Sequence, residues 1–448
     1  MNPEFRRNLW LELSLHRLVA MPAVLALVLA LVYAASDDGE GNVAMAAAVI
    51  AGALLGAWGS RNAMDCVAEE VRARTWDGQR MSAIGPWSMA WGKLLGSTAF
   101  AWYGGLMALA ALLAVAPEGW VRSPLRLAAL LAAGGLLLQA VACLGGLAVA
   151  RKGYARRGTA GGWVLILILL VFGPGLLGFF SEAARPVDWW GGRYAFDRFL
   201  LGSVVAFAAW AVFGVYRSMA AELQVRTLPW AYAAFILFLA AYLAGFWAND
   251  AAASPGAPAI GARNALLLWG LLVAATLTYV QLFSENTGVV VFRHVQVRLA
   301  RGEWRRALEE LPCWPVGLAL AGLFALLGML LLELPPHADG ALRDLSQAPL
   351  ALFLLLARDA AIFLVFAFAR LPRRTEAAVV FYLVMLYGII PGLLAAADLT
   401  ALAQLVLPPV FSHPGKAVAV AGLQAAAACA LLAWRWRAYR AREARPAT

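Results

Sequence analysis

The stretch LAALLAAGGLLLQAVACLGGLAV, residues 127–149, decides the fold class, because its only amide side chain is Gln139 and it holds no charge. The hydrocarbon core of a bilayer is about 30 Å thick, and roughly 20 helical residues cross it. The stretch is continuously apolar and does not alternate, which is typical of a membrane-spanning helix and not of a barrel strand. We therefore predict that residues 127–149 cross a membrane as a helix.

The composition of the whole chain agrees with this interpretation. Of the 448 residues, 63% are hydrophobic and 14% are charged, and the mean hydropathy is +0.74. Soluble domains contain about 45–50% apolar and about 25% charged residues. The composition therefore excludes a soluble enzyme, a disordered tail, a collagen and a disulfide-rich secreted domain, and it indicates a multi-pass protein of the lipid bilayer.

Similar apolar runs recur along the chain, and we predict an all-α integral membrane protein with about twelve transmembrane helices. The predicted spans are residues 17–35, 43–60, 94–116, 127–149, 161–181, 199–216, 229–248, 264–284, 315–333, 348–369, 377–397 and 416–434. The second of these is short for a span. Each predicted end is uncertain by a few residues, because charged flanks can belong to the same helix.

The basic residues favour one orientation of these spans. With a cytoplasmic N-terminus, 27 of the 36 Lys and Arg fall in inside segments and 8 in outside loops. Such an excess obeys the positive-inside rule. We therefore predict that both termini are cytoplasmic, and the net charge of +10 indicates topology and not a nucleic-acid partner.

The sequence contains no pattern of metal ligands. Its histidines are isolated, and none has a second ligand three or four residues away; they are His16, His294, His337 and His413. The four cysteines are widely spaced and form no CxxC pair. We expect no metal and no cofactor on this chain.

The two halves of the chain resemble each other. An Arg-Arg pair at 156–157 recurs at 373–374, and the sequence PGLL at 174–177 recurs at 391–394, both 217 positions later. Leu- and Ala-rich helices also resemble one another by coincidence, so a chance match stays open. The matches favour two six-helix units, residues 1–217 and 218–448. Because six is even, the units would be parallel repeats forming a pseudo-dimer.

Two inside loops are longer than the others and occupy equivalent places in the two halves. They cover residues 61–93 and 285–314, and each combines charges of both signs with a proline and a tryptophan. In the first loop, residues 67–81 are predicted to form a short amphipathic helix beneath the bilayer. One interpretation is a solvated surface helix with interfacial Trp anchors. The other is a coupling helix that docks on a cytoplasmic partner through a polar, reversible interface.

The first loop carries a family resemblance. The segments EEVRART (69–75), GPW (85–87) and GKLLG (92–96), together with the N-terminal NPEFRRNLWLE (2–12), resemble the permease subunits of ABC-2 type ABC transporters. In that family, a Glu/Arg-rich segment ending in Gly-Thr leads to a proline and then to Gly-Lys-Leu at the third helix. The chain departs from the pattern in three places. Arg74 stands where the family has Gly, Pro86 lies farther from Thr75 than is usual, and two six-helix units are fused in one chain.

The resemblance implies an exporter-type permease whose ATP and Mg²⁺ are bound by separate cytoplasmic ABC ATPase subunits, two copies for each chain. The sequence agrees, because it contains no G-x-x-x-x-G-K-[ST] phosphate-binding loop. We expect residues 65–86 and 293–312, within these two loops, to dock these subunits. The candidate coupling residues are Glu69, Glu70, Arg72, Arg74, Thr75, Trp76, Asp77, Arg80, Arg298, Arg301, Arg305, Arg306, Glu309 and Glu310.

Polar and helix-breaking residues inside the predicted spans are candidates for a substrate path. A charge at the bilayer centre costs roughly 2.5–3.5 kcal/mol on insertion scales, so such residues usually face protein or a wet cavity. The alternative is a purely structural role, as a charge network or a helix kink. The candidates are Gln139, Pro174, Arg358, Asp359 and Pro391.

Two other functions remain open at this point. A secondary transporter without an ATPase would depend on intramembrane ionisable groups, of which Arg358 and Asp359 are the candidates. An integral membrane lipid-modifying enzyme would need clustered His, Asp or Glu at one membrane face, and no such motif occurs. We expect a bacterial cytoplasmic membrane as the location.

Overall fold

A computed structural model of the chain describes residues 2–36, 39–82, 84–121, 123–151, 186–225, 227–248, 261–285, 289–332, 344–368 and 375–443. Within these residues, nine helices are long and apolar enough to cross a membrane. The pair Pro86–Gly96 and Ala99–Val115, bent by 56° at a short break, would make a tenth. The chain is therefore an α-helical, multi-pass membrane protein.

The helices group into two compact units, each described here by itself. Unit 1 comprises Met1–Val187 and Arg193–Thr227. Its helices are α1 (Pro3–Glu12), α2 (Leu15–Ala34), α3 (Gly39–Gly52), a π-helical segment (Ala53–Trp58), α4 (Gly59–Arg72), α5 (Trp76–Arg80), α6 (Pro86–Gly96), α7 (Ala99–Val115), α8 (Pro124–Arg151) and α9 (Phe196–Glu222). Before α9, the strands β1 (Val187–Trp189) and β2 (Gly192–Tyr194) form a hairpin.

Unit 2 comprises Asp188–Gly192 and Leu228–Thr448. Its helices are α10 (Trp230–Ala244), α11 (Ala262–Ser284), α12 (Val289–Ala300), α13 (Trp304–Glu310), α14 (Trp314–Leu331), a 3₁₀ turn (Asp344–Gln347), α15 (Ala348–Ala367), α16 (Thr375–Val384), a second π-helical segment (Met385–Ile389), α17 (Ile390–Ala396), α18 (Thr400–Val406) and α19 (Pro414–Glu443). Each unit thus has a short helix, α5 or α13, in the connection between its second long helix and the next apolar helix.

The predicted spans fall on helices wherever the structure describes them. The predicted fifth span, 161–181, and its Pro174 lie outside the described residues. The seventh coincides with α10, which is only 15 residues long. The total of twelve spans, the repeat relationship and the boundary at residue 217 therefore stay predictions.

Helix α8 packs closely against α4 and the first π-helical segment through two of its glycines. A Cβ atom at Gly146 would lie 2.3 Å from the backbone oxygen of Met64, and one at Gly135 would lie 2.7 Å from the Cβ of Leu55. At Gly134 and Gly145 a Cβ would meet nothing within 4 Å. Small residues that let backbones approach are the usual means of helix packing in membranes. In each of the adjacent pairs Gly134–Gly135 and Gly145–Gly146, the second glycine therefore forms the close helix contact.

This arrangement makes Gly146→Ala destabilising and Gly145→Ala nearly neutral. The new methyl group at 146 would collide with a backbone atom that cannot rotate away, which costs about 1–3 kcal/mol. At 145 the change should stay within about 0.5 kcal/mol. Melting temperatures of the two purified variants in the same detergent measure the difference. Equal losses in both variants would show that α8 and α4 do not pack in this register.

Candidate functional site

The first candidate coupling segment begins where α4 ends. The helix continues without a break from the second predicted span to Arg72, so residues 67–81 are not a separate amphipathic helix as predicted. Arg74 has a φ of 59°. The backbone N–H of Arg74 donates to the backbone oxygen of Val71 at 3.2 Å. The backbone N–H of Thr75 donates to the backbone oxygen of Glu70 at 3.0 Å. This pair of bonds is a Schellman motif, which normally places Gly at the left-handed position.

Unit 2 contains the same turn at the end of α12. Gly302 has a φ of 73°. Its N–H donates to the oxygen of Leu299 at 3.0 Å, and that of Glu303 donates to the oxygen of Arg298, also at 3.0 Å. In both units one residue follows the left-handed position and a tryptophan then begins the short helix, Trp76 in α5 and Trp304 in α13.

The helix that follows the short one also starts alike in the two units. Pro86 is the first residue of α6, and Pro315 is the second residue of α14. Proline is favoured there because the first turn of a helix needs no intrahelical donor. Each unit therefore has the same order of Schellman turn, tryptophan, short helix, proline and apolar helix. We call these regions the coupling segments, residues 69–80 and 298–310.

In unit 1 a buried ion network holds the coupling segment to α1 and α6. Lys93 in α6 is 1% exposed, and its Nζ lies 3.1 Å from Oε1 of Glu4 and in direct contact with the carboxylate of Glu70. Arg7 Nη1 reaches Glu70 Oε1 at 3.0 Å and Glu4 Oε1 at 3.3 Å. Gln79 donates to Glu70 Oε1 at 2.7 Å. Two carboxylates and two cations thus neutralise one another. Lys93, Glu4 and Glu70 are buried, and buried charges require such pairing, whereas the side chain of Arg7 is 44% exposed.

Further contacts seat α1 and α5 on the same network. Asn8 in α1 donates to the backbone oxygen of Gly92 at 3.1 Å. The Nζ of Lys93 lies 5.3 Å from the ring centroid of Trp76, within cation–π range. At the end of α5, Arg80 Nε donates to the oxygen of Glu222 in α9 at 3.0 Å. The coupling segment of unit 1 is therefore fixed to α1, α6 and α9.

These contacts divide the predicted coupling residues of unit 1 into two groups. Glu70 and Trp76 are buried in the network, and Arg80 is partly buried against α9. The side chains available to a partner on this segment are the exposed ones, namely Glu69, Arg72, Arg74, Thr75 and Asp77. Nothing in the geometry tests the docking prediction itself, which stays a prediction.

The coupling segment of unit 2 is held by ion pairs nearer the surface. Glu303 Oε2 lies 2.8 Å from Arg298 and 3.2 Å from Arg306, and Arg298 also reaches Glu310 at 3.3 Å. Hydrogen bonds from Arg306 and Arg298 hold the pKa of Glu303 below its ordinary value. A further pair, Arg305 with Glu309, is separated by 3.4 Å, and Arg301, Arg305 and Arg306 are exposed.

The residues that flank the coupling segment of unit 2 form an aromatic cluster. Trp314, which begins α14, is buried. The centroid of its ring lies 6.1 Å from the ring centroid of Phe292 in α12. Phe292 lies 5.5 Å from Phe368, the residue after α15. The two coupling segments therefore share their backbone path and differ in what holds them.

Gln139, a predicted substrate-path residue, bridges three elements of unit 1. It is 0% exposed. Its amide donates to the oxygen of Leu55 in the π-helical segment at 2.8 Å, and its carbonyl accepts from Trp102 Nε1 in α7, also at 2.8 Å. A π-helical segment disturbs the regular i→i−4 pattern of the helix. The Gln139 amide therefore satisfies a backbone carbonyl there.

Arg358 and Asp359, adjacent in α15, pair with each other inside unit 2. Arg358 is 2% exposed, and its Nε donates to Asp359 Oδ1 at 2.8 Å. The other carboxylate oxygen accepts from Tyr279 of α11 at 2.6 Å and from Tyr387 of the second π-helical segment at 2.7 Å. The guanidinium also lies 5.1 Å from the Tyr387 ring centroid. Both charges are thus compensated by partners on three elements.

Gln424 of α19 extends this second network. It accepts a hydrogen bond from Arg358 Nη1 and donates to the oxygen of Val406 at the end of α18, at 3.1 Å. Pro391 is buried at the start of α17, directly after the π-helical segment that carries Tyr387. The network thus attaches two elements to α15. Tyr387 attaches the interrupted helix formed by α16, the π-helical segment and α17, and Gln424 attaches α18. Gln139 belongs to unit 1 and Arg358 to unit 2.

Sequence reasoning missed several members of both networks. Glu4, Arg7 and Lys93 belong to segments quoted for the family resemblance, but nothing in their spacing predicts that they meet Glu70. Tyr279, Tyr387 and Gln424 are polar residues inside apolar runs. Their position inside apolar runs could have indicated a buried polar contact, because a polar side chain in a membrane span usually faces a protein partner.

No protein-family model, no curated protein and no solved structure matches this chain. Within the described residues, no group of three or more His, Cys, Asp or Glu could hold a metal ion. A functional assignment therefore depends on the geometry of the chain itself and on the motifs in its sequence.

Proposed function

We propose that the chain is the membrane-spanning permease subunit of an ABC-2 type exporter, driven by separate cytoplasmic ABC ATPase subunits. The observation that carries the proposal is the coupling segment. Among the residues that the structure describes, it occurs in each unit as the same left-handed turn, followed after one residue by a tryptophan that begins a short helix. Two similar docking segments are suited to binding two identical or similar ATPase subunits, one on each segment.

The exposed charges of these segments suit a reversible polar interface. Glu69, Arg72, Arg74 and Asp77 in unit 1 and Arg301, Arg305 and Arg306 in unit 2 are exposed. Charges arranged in this way govern the rate and specificity of association more than its hydrophobic strength. The buried network behind the first segment would transmit movement of the ATPase to α1 and α6, because both contribute charges to it. The contact of Arg80 with Glu222 would transmit the same movement to α9.

The nucleotide chemistry is assigned to the partner. The full sequence lacks the phosphate-binding loop that an ATPase needs. ATP and Mg²⁺ would therefore bind two partner subunits, one for each unit, and this chain would carry no cofactor and no catalytic residue. The proposed topology has twelve spans as two parallel repeats, with both termini in the cytoplasm of a bacterial cell.

A secondary transporter is the second candidate, and one observation favours it. Asp359 is buried among the spans and held by two tyrosines and an arginine. Intramembrane carboxylates often carry protons or ions through transporters. Transport by the purified chain without ATP hydrolysis would support this candidate, whereas an absolute need for an ATPase would exclude it.

Charge reversal at the exposed coupling residues tests the proposed docking. We expect Arg72→Glu with Arg74→Glu, and separately Arg305→Glu with Arg306→Glu, to weaken ATPase association by about tenfold or more, because reversed interface charges repel their partners. Association is measured by titrating the purified ATPase onto the detergent-solubilised chain.

The matched control is Arg61→Glu, an exposed arginine of α4 that lies outside the coupling segments and 3.9 Å from Asp65. It should bind the ATPase like the unaltered chain. Wild-type affinity and transport in both double variants would show that the ATPase docks elsewhere or not at all.

A further inference from the structure

Helix α19 is longer than a bilayer requires. It runs without a break from Pro414 to Glu443, 30 residues, or about 45 Å at 1.5 Å per residue. The hydrocarbon core is about 30 Å thick. The apolar part ends near Leu432, and the last turns read AWRWRAYRARE, residues 433–443. Arginine and aromatic residues alternate where this helix leaves the membrane.

One face of these last turns is exposed. Trp434, Arg437 and Arg440 are spaced three residues apart and therefore follow one another along the same side of the helix. Trp434 is 63% exposed, and both arginines are exposed. Among the residues that the structure describes, neither guanidinium is paired with a carboxylate. We call Trp434, Arg437 and Arg440 the basic stripe.

The opposite side of α19 contacts Phe368, the residue that follows α15 in the same unit. Arg435 Nε lies 3.5 Å from the backbone oxygen of Phe368. Trp436 lies 5.7 Å from the Phe368 ring, and Tyr439 stacks on Trp436 at 6.4 Å. These contacts fix the rotation of α19 about its axis. The basic stripe is therefore directed away from the helices that hold it.

We propose that the basic stripe binds the headgroups of anionic phospholipids. Tryptophan in a membrane protein prefers the interface between hydrocarbon and headgroups. With Trp434 at that level, Arg437 and Arg440 lie one and two turns farther out, where lipid phosphates are found. A guanidinium binds phosphate through two parallel hydrogen bonds, which gives it an advantage over ammonium. Arginine clusters directly after a membrane helix are typical of anionic-lipid binding.

A lipid is favoured over other anions by the place of the stripe. A free phosphate ion would use the arginines but not Trp434, whereas a lipid contacts all three residues at once. A nucleic acid would have to reach Trp434 at the level of the lipid headgroups, where tryptophan of a membrane helix lies. The proposal needs only that α19 crosses the membrane. It does not depend on coupling to an ATPase, so either proposal can fail without the other.

Native mass spectrometry of the full chain in non-ionic detergent tests the proposal. The chain is titrated with phosphatidylglycerol, phosphatidylcholine, inorganic phosphate or a short oligonucleotide. We expect phosphatidylglycerol to bind about thirtyfold more tightly than phosphatidylcholine, which corresponds to about 1 kcal/mol for each of the two arginines near a charged surface. The variant Arg437→Gln with Arg440→Gln should lose this preference.

The matched control is Arg17→Gln with Arg61→Gln. It removes the same charge from exposed arginines that lie beside carboxylates, Glu12 at 3.4 Å and Asp65 at 3.9 Å. The control should keep the preference for phosphatidylglycerol, and Arg437→Lys with Arg440→Lys, which is milder for folding, should keep only part of it. An unchanged preference in the Gln variant would overturn the proposal, as would tighter binding of the oligonucleotide or full competition by inorganic phosphate.

Discussion

Lys93→Met is expected to lower the stability of unit 1 by about 3–5 kcal/mol, the cost of breaking a buried ion pair from one side. Methionine fills nearly the same volume, but it leaves the carboxylates of Glu4 and Glu70 facing each other with only Arg7 to compensate them. The expected result is a large fall in melting temperature, measured on the purified chain in detergent by loss of helical circular dichroism.

A second substitution separates charge compensation from packing. Adding Glu70→Gln to Lys93→Met removes one of the stranded charges and should restore part of the lost stability. Arg61→Met is the surface control. Its partner Asp65 is half-exposed at 3.9 Å, so the change should stay within about 1 kcal/mol. The buried network would be refuted if Lys93→Met melted like the control.

Arg358→Leu is expected to have a comparable effect on unit 2. It removes the only cation bonded to Asp359 among the residues described and leaves that carboxylate with two tyrosine donors. Loss of one partner from a buried pair again costs about 3–5 kcal/mol. The melting temperature should therefore fall strongly, and the α16–α18 region should become more accessible to protease because the Gln424 contact is also lost.

Asp359→Asn added to Arg358→Leu is the compensating variant. Asparagine keeps an oxygen that accepts from Tyr279 and Tyr387 but carries no charge, so stability should recover in part. Transport per folded molecule decides between the two roles foreseen for this pair. Unchanged transport with lowered stability indicates a structural network. Lost transport in the stabilised double variant places Arg358 on the substrate path and contradicts a purely structural role.

The membrane helices were predictable because burial in lipid acts on each helix separately. A run such as 127–149 must satisfy its backbone within itself, whatever its neighbours are. The continuation of α4 to Arg72 was not predicted, because hydropathy falls where a helix leaves the bilayer although its hydrogen bonds continue. The two π-helical segments were also missed, since the residues that form them look like any apolar run.

The conformation of the coupling segments was not predicted from the sequence, and their role as docking sites stays a prediction. Gly302 is a residue expected at a left-handed turn, and the turn in unit 2 could have been anticipated from it. In unit 1 the residue with positive φ is Arg74, and an arginine gives no indication of a left-handed turn. The family pattern places Gly there, and the backbone geometry at Arg74 is the geometry that a glycine would favour.

The buried networks were the least predictable feature. Lys93 meets Glu4 across 89 residues and Tyr279 meets Asp359 across 80. Such pairs depend on which helices become neighbours, and hydrophobic periodicity does not determine that. Arg358 and Asp359 form a direct ion pair, which their adjacency in the sequence does not by itself predict.

The most direct test of the account is the mass of the assembled complex together with its need for ATP. We predict that native mass spectrometry finds two ATPase subunits for each chain, and only one when Arg72 and Arg74, or Arg305 and Arg306, are changed to Glu. Vesicles containing this complex should move cargo only while ATP is hydrolysed. A chain that binds no ATPase and moves cargo in vesicles without ATP would contradict the account.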